Sequence, residues 1–191
     1  MKKGRLEAFS DGVMAIIITI MVLELKVPEH DNWAALQPML PTFLCYLLSF
    51  VFVGIYWNNH HHLYQAAERV NGPTLWANHH LLFWLSLIPF ATAWMGENHF
   101  SATPTALYGV VLLGCGMAYS IMVKCLLKGH RKDSHLARAI GRDTKGNISV
   151  GLYVAGIALS FFVPSLACAC YVIVAAMWLI PDQRIERQIS E

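Results

Sequence analysis

Twelve uncharged residues, Gly12 to Leu23, are bracketed by Asp11 and Glu24, with Arg5 and Glu7 just ahead of them. As a helix rising about 1.5 Å per residue, this stretch covers only ~18 Å, well short of a hydrocarbon core of ~30 Å. If the helix crosses a membrane, its charged ends must face protein or a water-filled cavity. Ionisable groups inside a bilayer are costly, and where they persist they mark a pathway. The first helix is therefore a candidate pore wall, with Glu24 at its outer mouth.

The rest of the chain supports a membrane setting. Of 191 residues 56% are hydrophobic and 14% charged, and the mean hydropathy is +0.46. A soluble surface ordinarily draws on about 25% charged residues. The length suits a single domain spanning 1–191. Lys2, Lys3 and Arg5 ahead of an apolar run imitate a signal peptide, but Glu7 and Asp11 interrupt the approach and no small-x-small cleavage site precedes Lys26, so the segment is read as retained. The cysteines at 45, 115, 125, 168 and 170 are odd in number and fit no zinc or disulfide framework. They read as small apolar packers.

Apolar windows place spans at 6–25, 42–63, 75–95 and 105–127, followed by a tract from Ile148 to Ile180. Pro164 near the middle of that tract disfavours helix at Val163, so it divides into 148–163 and 166–180. Six spans put thirteen of the fourteen Lys and Arg residues on one side. These are the N-terminal group, Arg69, the cluster from Lys124 to Lys145, and Arg184 with Arg187. Lys26 alone is left outside. The positive-inside rule then sets both termini in the cytoplasm. Glu29, Asp31 and Glu97 fall outside and read as solvated loop acids.

Polar residues collect at the cytoplasmic ends of three spans. The second ends Trp57-Asn58-Asn59-His60-His61-His62, the third begins Trp76-Ala77-Asn78-His79-His80, and the first begins with Arg5, Phe9, Ser10 and Asp11. Arg5 and Phe9 share one helix face, Glu7 and Asp11 another. Six spans bring the three groups to one depth, where Ser10 and Asp11 can accept from imidazole or indole donors. A buried charge there persists only if paired. Consecutive histidines lie about 100° apart around a helix, and neither cluster holds an i, i+3 or i, i+4 pair, so chelation along one face is disfavoured. The clusters read as a hydrogen-bond network with no metal site.

The string Arg5-Leu6-Glu7-Ala8-Phe9-Ser10-Asp11 resembles the R-x-x-x-F-S-D signature of the transmembrane protein 175 family, and the chain is identified as a prokaryotic member of it, related to the endolysosomal potassium channel. The resemblance implies an all-α membrane protein with six transmembrane helices per subunit, lacking any TVGYG-type filter, as this sequence does. It implies a tetrameric cation channel with four copies of helix 1 around the pore. The family's constriction carries over to Ile16, Ile20 and Leu23, and Thr19 matches a position where some members place a hydroxyl. Ile16, Ile20 and Leu23 do share a face. Periodicity alone would read that stripe as ordinary packing.

The expected function is thus a modestly potassium-selective leak channel with a hydrophobic gate. It would be a homotetramer in the plasma membrane, with potassium as permeant ion, no cofactor, no nucleic-acid partner and no enzymatic activity. Rings of branched apolar side chains can gate by dewetting, and stripping water costs less for K⁺ than for Na⁺. Two alternatives stand beside it: a proton-conducting channel relayed through Asp11 and the histidines, and a His-liganded membrane metal or redox enzyme.

Overall fold

A computed structural model describes residues 3–67, 70–128 and 144–179. Its helices are α1 (Lys3–Leu23), a 3-10 segment (Trp33–Met39), α2 (Leu40–Ala66), α3 (Gly72–Ser86), α4 (Ile88–Glu97), α5 (Ala102–Lys128), α6 (Thr144–Leu159) and α7 (Pro164–Leu179). Among the described residues there is no strand. Three stretches, Lys3–Leu23, Trp33–Ala66 and Ala102–Lys128, are each long and apolar enough to cross a membrane. Arg69, Arg131, Lys132, Arg138, Arg142, Arg184, Arg187, Lys2, His130 and His135, on which the charge and loop readings partly rest, lie outside the described residues.

Local chemistry sets the helix boundaries. Asn71 caps α3, its Oδ1 accepting from Thr74 N at 2.9 Å and from Thr74 Oγ1 at 2.7 Å, the ordinary way to satisfy first-turn donors. Proline occupies the first turn of α2, α3 and α4, where its missing N–H costs nothing. The tract from 148 to 180 is two helices, with Pro164 opening the second.

The stretch expected at 75–95 is interrupted. α3 and α4 follow each other with Leu87 alone between them, and Leu87 N–H turns back to Trp84 O at 3.2 Å. Pro89 has no N–H to offer the carbonyl four residues earlier, so the helix breaks there.

α1 packs on α2, α3 and α4; α3 lies on α5, α2 on α4, α5 on α6, and α6 on α7. A buried hydroxyl cluster ties the centre. Ser49 Oγ lies 2.7 Å from Thr92 Oγ1 and 2.9 Å from Tyr108 Oη, joining α2, α4 and α5. Thr92 Oγ1 also bonds Ile88 O at 2.7 Å. Of the cysteines, Cys45 and Cys115 are buried and the other three half-buried, and all five are free thiols.

At the other end of α1, Lys26 Nζ meets Glu97 Oε1 at 2.7 Å. Glu97 is therefore paired, where the sequence reading had it merely solvated. Hydrogen bonding to Glu97, then the charge of Glu97, raises the Lys26 pKa above its ordinary value, with a smaller contribution from Glu24.

Close helix approach relies on glycine. A Cβ on Gly109 or Gly156 would strike Tyr171, and one on Gly114 would strike the Trp84 ring. Tyr171 cannot easily retreat, because its hydroxyl donates to Thr105 O at 3.2 Å. Gly156→Val should therefore lower stability by about 1–3 kcal/mol, the usual overpacking cost. Thermal unfolding in detergent measures this, and an unchanged melting temperature would refute the tight α6–α7 seam.

Candidate functional site: the two faces of the first helix

α1 carries two stripes. Leu6, Ser10, Met14, Ile17 and Met21 are buried against α2, α3 and α4. Arg5, Phe9, Gly12, Ile16, Thr19 and Leu23, spaced alternately four and three apart, are all exposed. That spacing keeps one face aligned along a helix. Ile16, Ile20 and Leu23 are 58%, 42% and 79% exposed. Thr19 is exposed as well, and its hydroxyl donates to Ile16 O at 2.8 Å. This back-bond to its own helix uses the only proton of that hydroxyl. Beside the stripe runs a groove of about 450 Å³ between α1 and the α3–α4 break, lined by Val13, Ile16, Ile20, Glu24, Ser86 and Phe90. Glu24 borders this groove at the end of α1.

The buried stripe meets the polar cluster. Ser10 Oγ donates to Leu6 O at 2.9 Å and accepts from Asn78 Nδ2 at 3.0 Å. Asn78 Oδ1 accepts in turn from His60 Nε2 at 2.9 Å. All three side chains are buried. The donors run one way, from His60 on α2 through Asn78 on α3 to Ser10 on α1. Each of the three side chains thus has at least one partner, as buried polar groups ordinarily do.

Asp11 lies just outside this chain, where Trp57 Nε1 donates to its Oδ1 at 3.0 Å. The donor to Asp11 is an indole, whereas Ser10 takes an amide and not an imidazole. His61 stacks on Trp57 with centroids 6.0 Å apart, and Phe9 stacks on His79 at 5.6 Å. His79 Nδ1 donates to Leu75 O at 2.8 Å, an interaction within its own helix. Arg5 is exposed, and among the described residues no hydrogen bond joins it to the cluster.

Two members of the cluster were missed from sequence. Tyr64 is fully buried with its ring 4.5 Å from that of His60, and their i, i+4 spacing was a usable signal. Lys3 reaches Ala67 O at 3.2 Å, tying the start of α1 to the end of α2. Among the described residues no group of three or more His, Cys, Asp or Glu side chains is placed to hold a metal ion.

Comparison with known proteins gives this geometry a context. A potassium channel of Chryseobacterium sp. (strain P1-3) is 58% identical over 191 residues, all of both chains. The sequence model described as endosomal/lysosomal potassium channel TMEM175 matches residues 5–89. The chain belongs to the TMEM175 family. A further relative, a potassium channel of Streptomyces collinus, is 31% identical over 185 residues, covering 91% of this chain and 90% of that one. The crystal structure of a lysosomal potassium-selective channel TMEM175 homolog from Chamaesiphon minutus superposes with a TM-score of 0.80 at 29% identity, covering 95% of this chain and 98% of that one. The segment matched by the TMEM175 model contains both stripes of α1 and every residue of the polar cluster on α2 and α3.

Asn78→Ala should strand His60 and Ser10 in a buried setting. Each lost partner costs about 1–3 kcal/mol, so thermal stability should drop by more than for the exposed Asn58→Ala. Equal effects of the two substitutions would show that the Asn78 bonds do not anchor α1.

Proposed function

We propose that this chain is the subunit of a homotetrameric potassium channel, with four copies of α1 surrounding the ion path. The observation that carries this is the uncovered stripe of α1. α1 has one face packed by its own chain and a second, largely apolar face that its own chain leaves uncovered. In a family whose relatives are named potassium channels, the pore is the natural occupant of that face. The protein is then a channel and not an enzyme, seated in the plasma membrane with both termini cytoplasmic.

Ile16, Ile20 and Leu23 would form successive apolar rings. Such a neck conducts only when wetted. An ion crossing it sheds part of its hydration shell, and K⁺ gives up water at lower cost than Na⁺. Few protein oxygens replace what is lost, so selectivity is modest and potassium is the only species the site needs to admit. No cofactor enters this scheme.

The polar cluster serves position rather than conduction. Its directed hydrogen bonds pass through a side-chain amide and end on the backbone carbonyl of Leu6, a poor route for protons. The potassium reading is accordingly favoured over a histidine relay.

The decisive experiment is ion flux from purified protein in liposomes carrying K⁺ or Na⁺ gradients, with subunits counted by native mass spectrometry. Ile16→Asn or Leu23→Asn should wet the neck and raise K⁺ flux about tenfold, the effect of ~1.4 kcal/mol on a barrier. Unchanged flux in both variants would remove those residues from the pore. Thr19→Val should leave the K⁺/Na⁺ ratio within about twofold, because the back-bond holds the hydroxyl against its own helix. Loss of selectivity in that variant would make Thr19 an ion ligand.

A further inference from the structure

The turn joining α6 to α7 presents apolar side chains to its surroundings. Gly146, Tyr153 and Trp178 line one small space together with Tyr56 and Asn59 of α2, so α6 begins and α7 finishes at the end of the bundle where α2 finishes. The connection, residues 160–163, therefore lies at the opposite end. There Phe161, Phe162 and Val163 are 61%, 82% and 42% exposed. No Lys, Arg, His, Asp or Glu occurs between Lys145 and Asp182. Turns in water draw mainly on Gly, Pro, Asn, Asp and Ser, and adjoining exposed apolar side chains mark a surface made for a partner.

The backbone donors of this turn are satisfied from within. Ser160 N–H donates to Gly156 O at 2.9 Å and Phe161 N–H to Ala158 O at 3.3 Å, while Phe162 and Val163 both donate to Leu159 O, at 3.0 and 2.7 Å. Beyond Pro164, which has no N–H, Leu166 and Ala167 donate to Val163 O at 3.0 and 3.3 Å. The Ser160 hydroxyl also stays inside, donating to Gly156 O at 2.8 Å. Internal pairing of this kind is what a segment surrounded by lipid requires. The helix is short as well. Near its start Lys145 holds its ammonium 5.7 Å from the centroid of the Trp178 ring, and lysine and tryptophan are the usual anchors at a membrane boundary. From Lys145 to Leu159 the chain rises about 21 Å, less than the ~30 Å of hydrocarbon.

We propose that the α6–α7 turn is a lipid-inserted tip, with Phe161, Phe162 and Val163 among the acyl chains of the leaflet far from Lys145 and Trp178. The hairpin then ends just inside the hydrocarbon instead of emerging as a wetted loop. Its partner is the bilayer for two reasons. The same end of α2 exposes Phe43, Leu44 and Leu47, so the turn continues an apolar surface at that depth. α6 and α7 pack on each other and on α5, and α7 also on α2, whereas α1 packs on α2, α3 and α4. With α1 facing the ion path, the hairpin stands on the perimeter of the assembly. The choice of lipid over a second copy rests on that reading of α1.

The test places a nitroxide on the full-length protein in phosphatidylcholine vesicles. Phe162→p-acetylphenylalanine, coupled to a hydroxylamine nitroxide, keeps an aromatic ring and leaves the free thiols untouched. The same label at Phe50, exposed near the middle of α2, reports hydrocarbon, and at Asp31, exposed ahead of α2, it reports water. Power saturation is read with oxygen, which partitions into hydrocarbon, and with a nickel chelate, which stays in water.

At position 162 the ratio of oxygen to nickel collisions should lie close to that at Phe50 and well above that at Asp31. A ratio equal to that at Asp31 puts the turn in water and overturns the proposal. Low collision rates with both relaxants mean that protein surrounds the label, as at a contact with a second copy, and overturn it equally. Phe161→p-acetylphenylalanine repeats the measurement with the same outcomes should the first variant fail to assemble. Potassium flux through the labelled protein tests the reading of α1 separately, so failure of the one is distinguished from failure of the other.

Discussion

The hydrogen bond from Asn78 to Ser10 fixes where the first helix sits, and the arrangement around α1 follows from it. Asn78 is held from the other side by His60, so one amide clamps three helices at one depth. In an apolar interior such a bond has no water to compete with it, and a shift of α1 by a single residue would leave several buried groups unpaired at once. Register is thereby specified more sharply than by the apolar contacts of Leu6, Met14, Ile17 and Met21, which could slide with modest loss. With the register set, the outward stripe of α1 is aimed as well.

That division of labour explains why α1 tolerates charges near both ends. Asp11 is met by the Trp57 indole at the end carrying the polar cluster, and beyond the opposite end Lys26 pairs with Glu97 on α4. Glu24 contributes to the field on Lys26. Neither end is asked to sit in hydrocarbon, so the apolar stretch between them can be short. The break between α3 and α4 lies beside the middle of this stretch and opens the groove next to Ile16 and Ile20.

Much of this was legible in the residues. The helical class followed from long apolar windows, and Pro164 marked the division between α6 and α7. The pairing of Asp11 with an indole could be anticipated because both groups had to lie at one depth. Other features were not legible. Proline in the first turn of a helix and proline breaking a continuous one look alike in a string, so Pro89 reads as a kink in the third span and not as the start of a separate helix. Lys26 and Glu97 are seventy-one positions apart, and only folding makes them neighbours. Tyr56, Tyr153 and Trp178 read as three unrelated aromatic residues until four helices bring them around one space.

From its sequence alone, the chain is committed to a membrane, to helices, and to a first helix with charged ends that need partners, because those properties depend on composition and spacing along one dimension. Which face of that helix is covered is a different matter. Met14, Ile16, Ile17 and Ile20 are all apolar and lie all round the helix, so periodicity cannot rank one apolar stripe above another. Tertiary structure made the choice, since only the Ser10 side carries a polar atom that meets Asn78, and burying that side leaves Ile16, Ile20 and Leu23 uncovered.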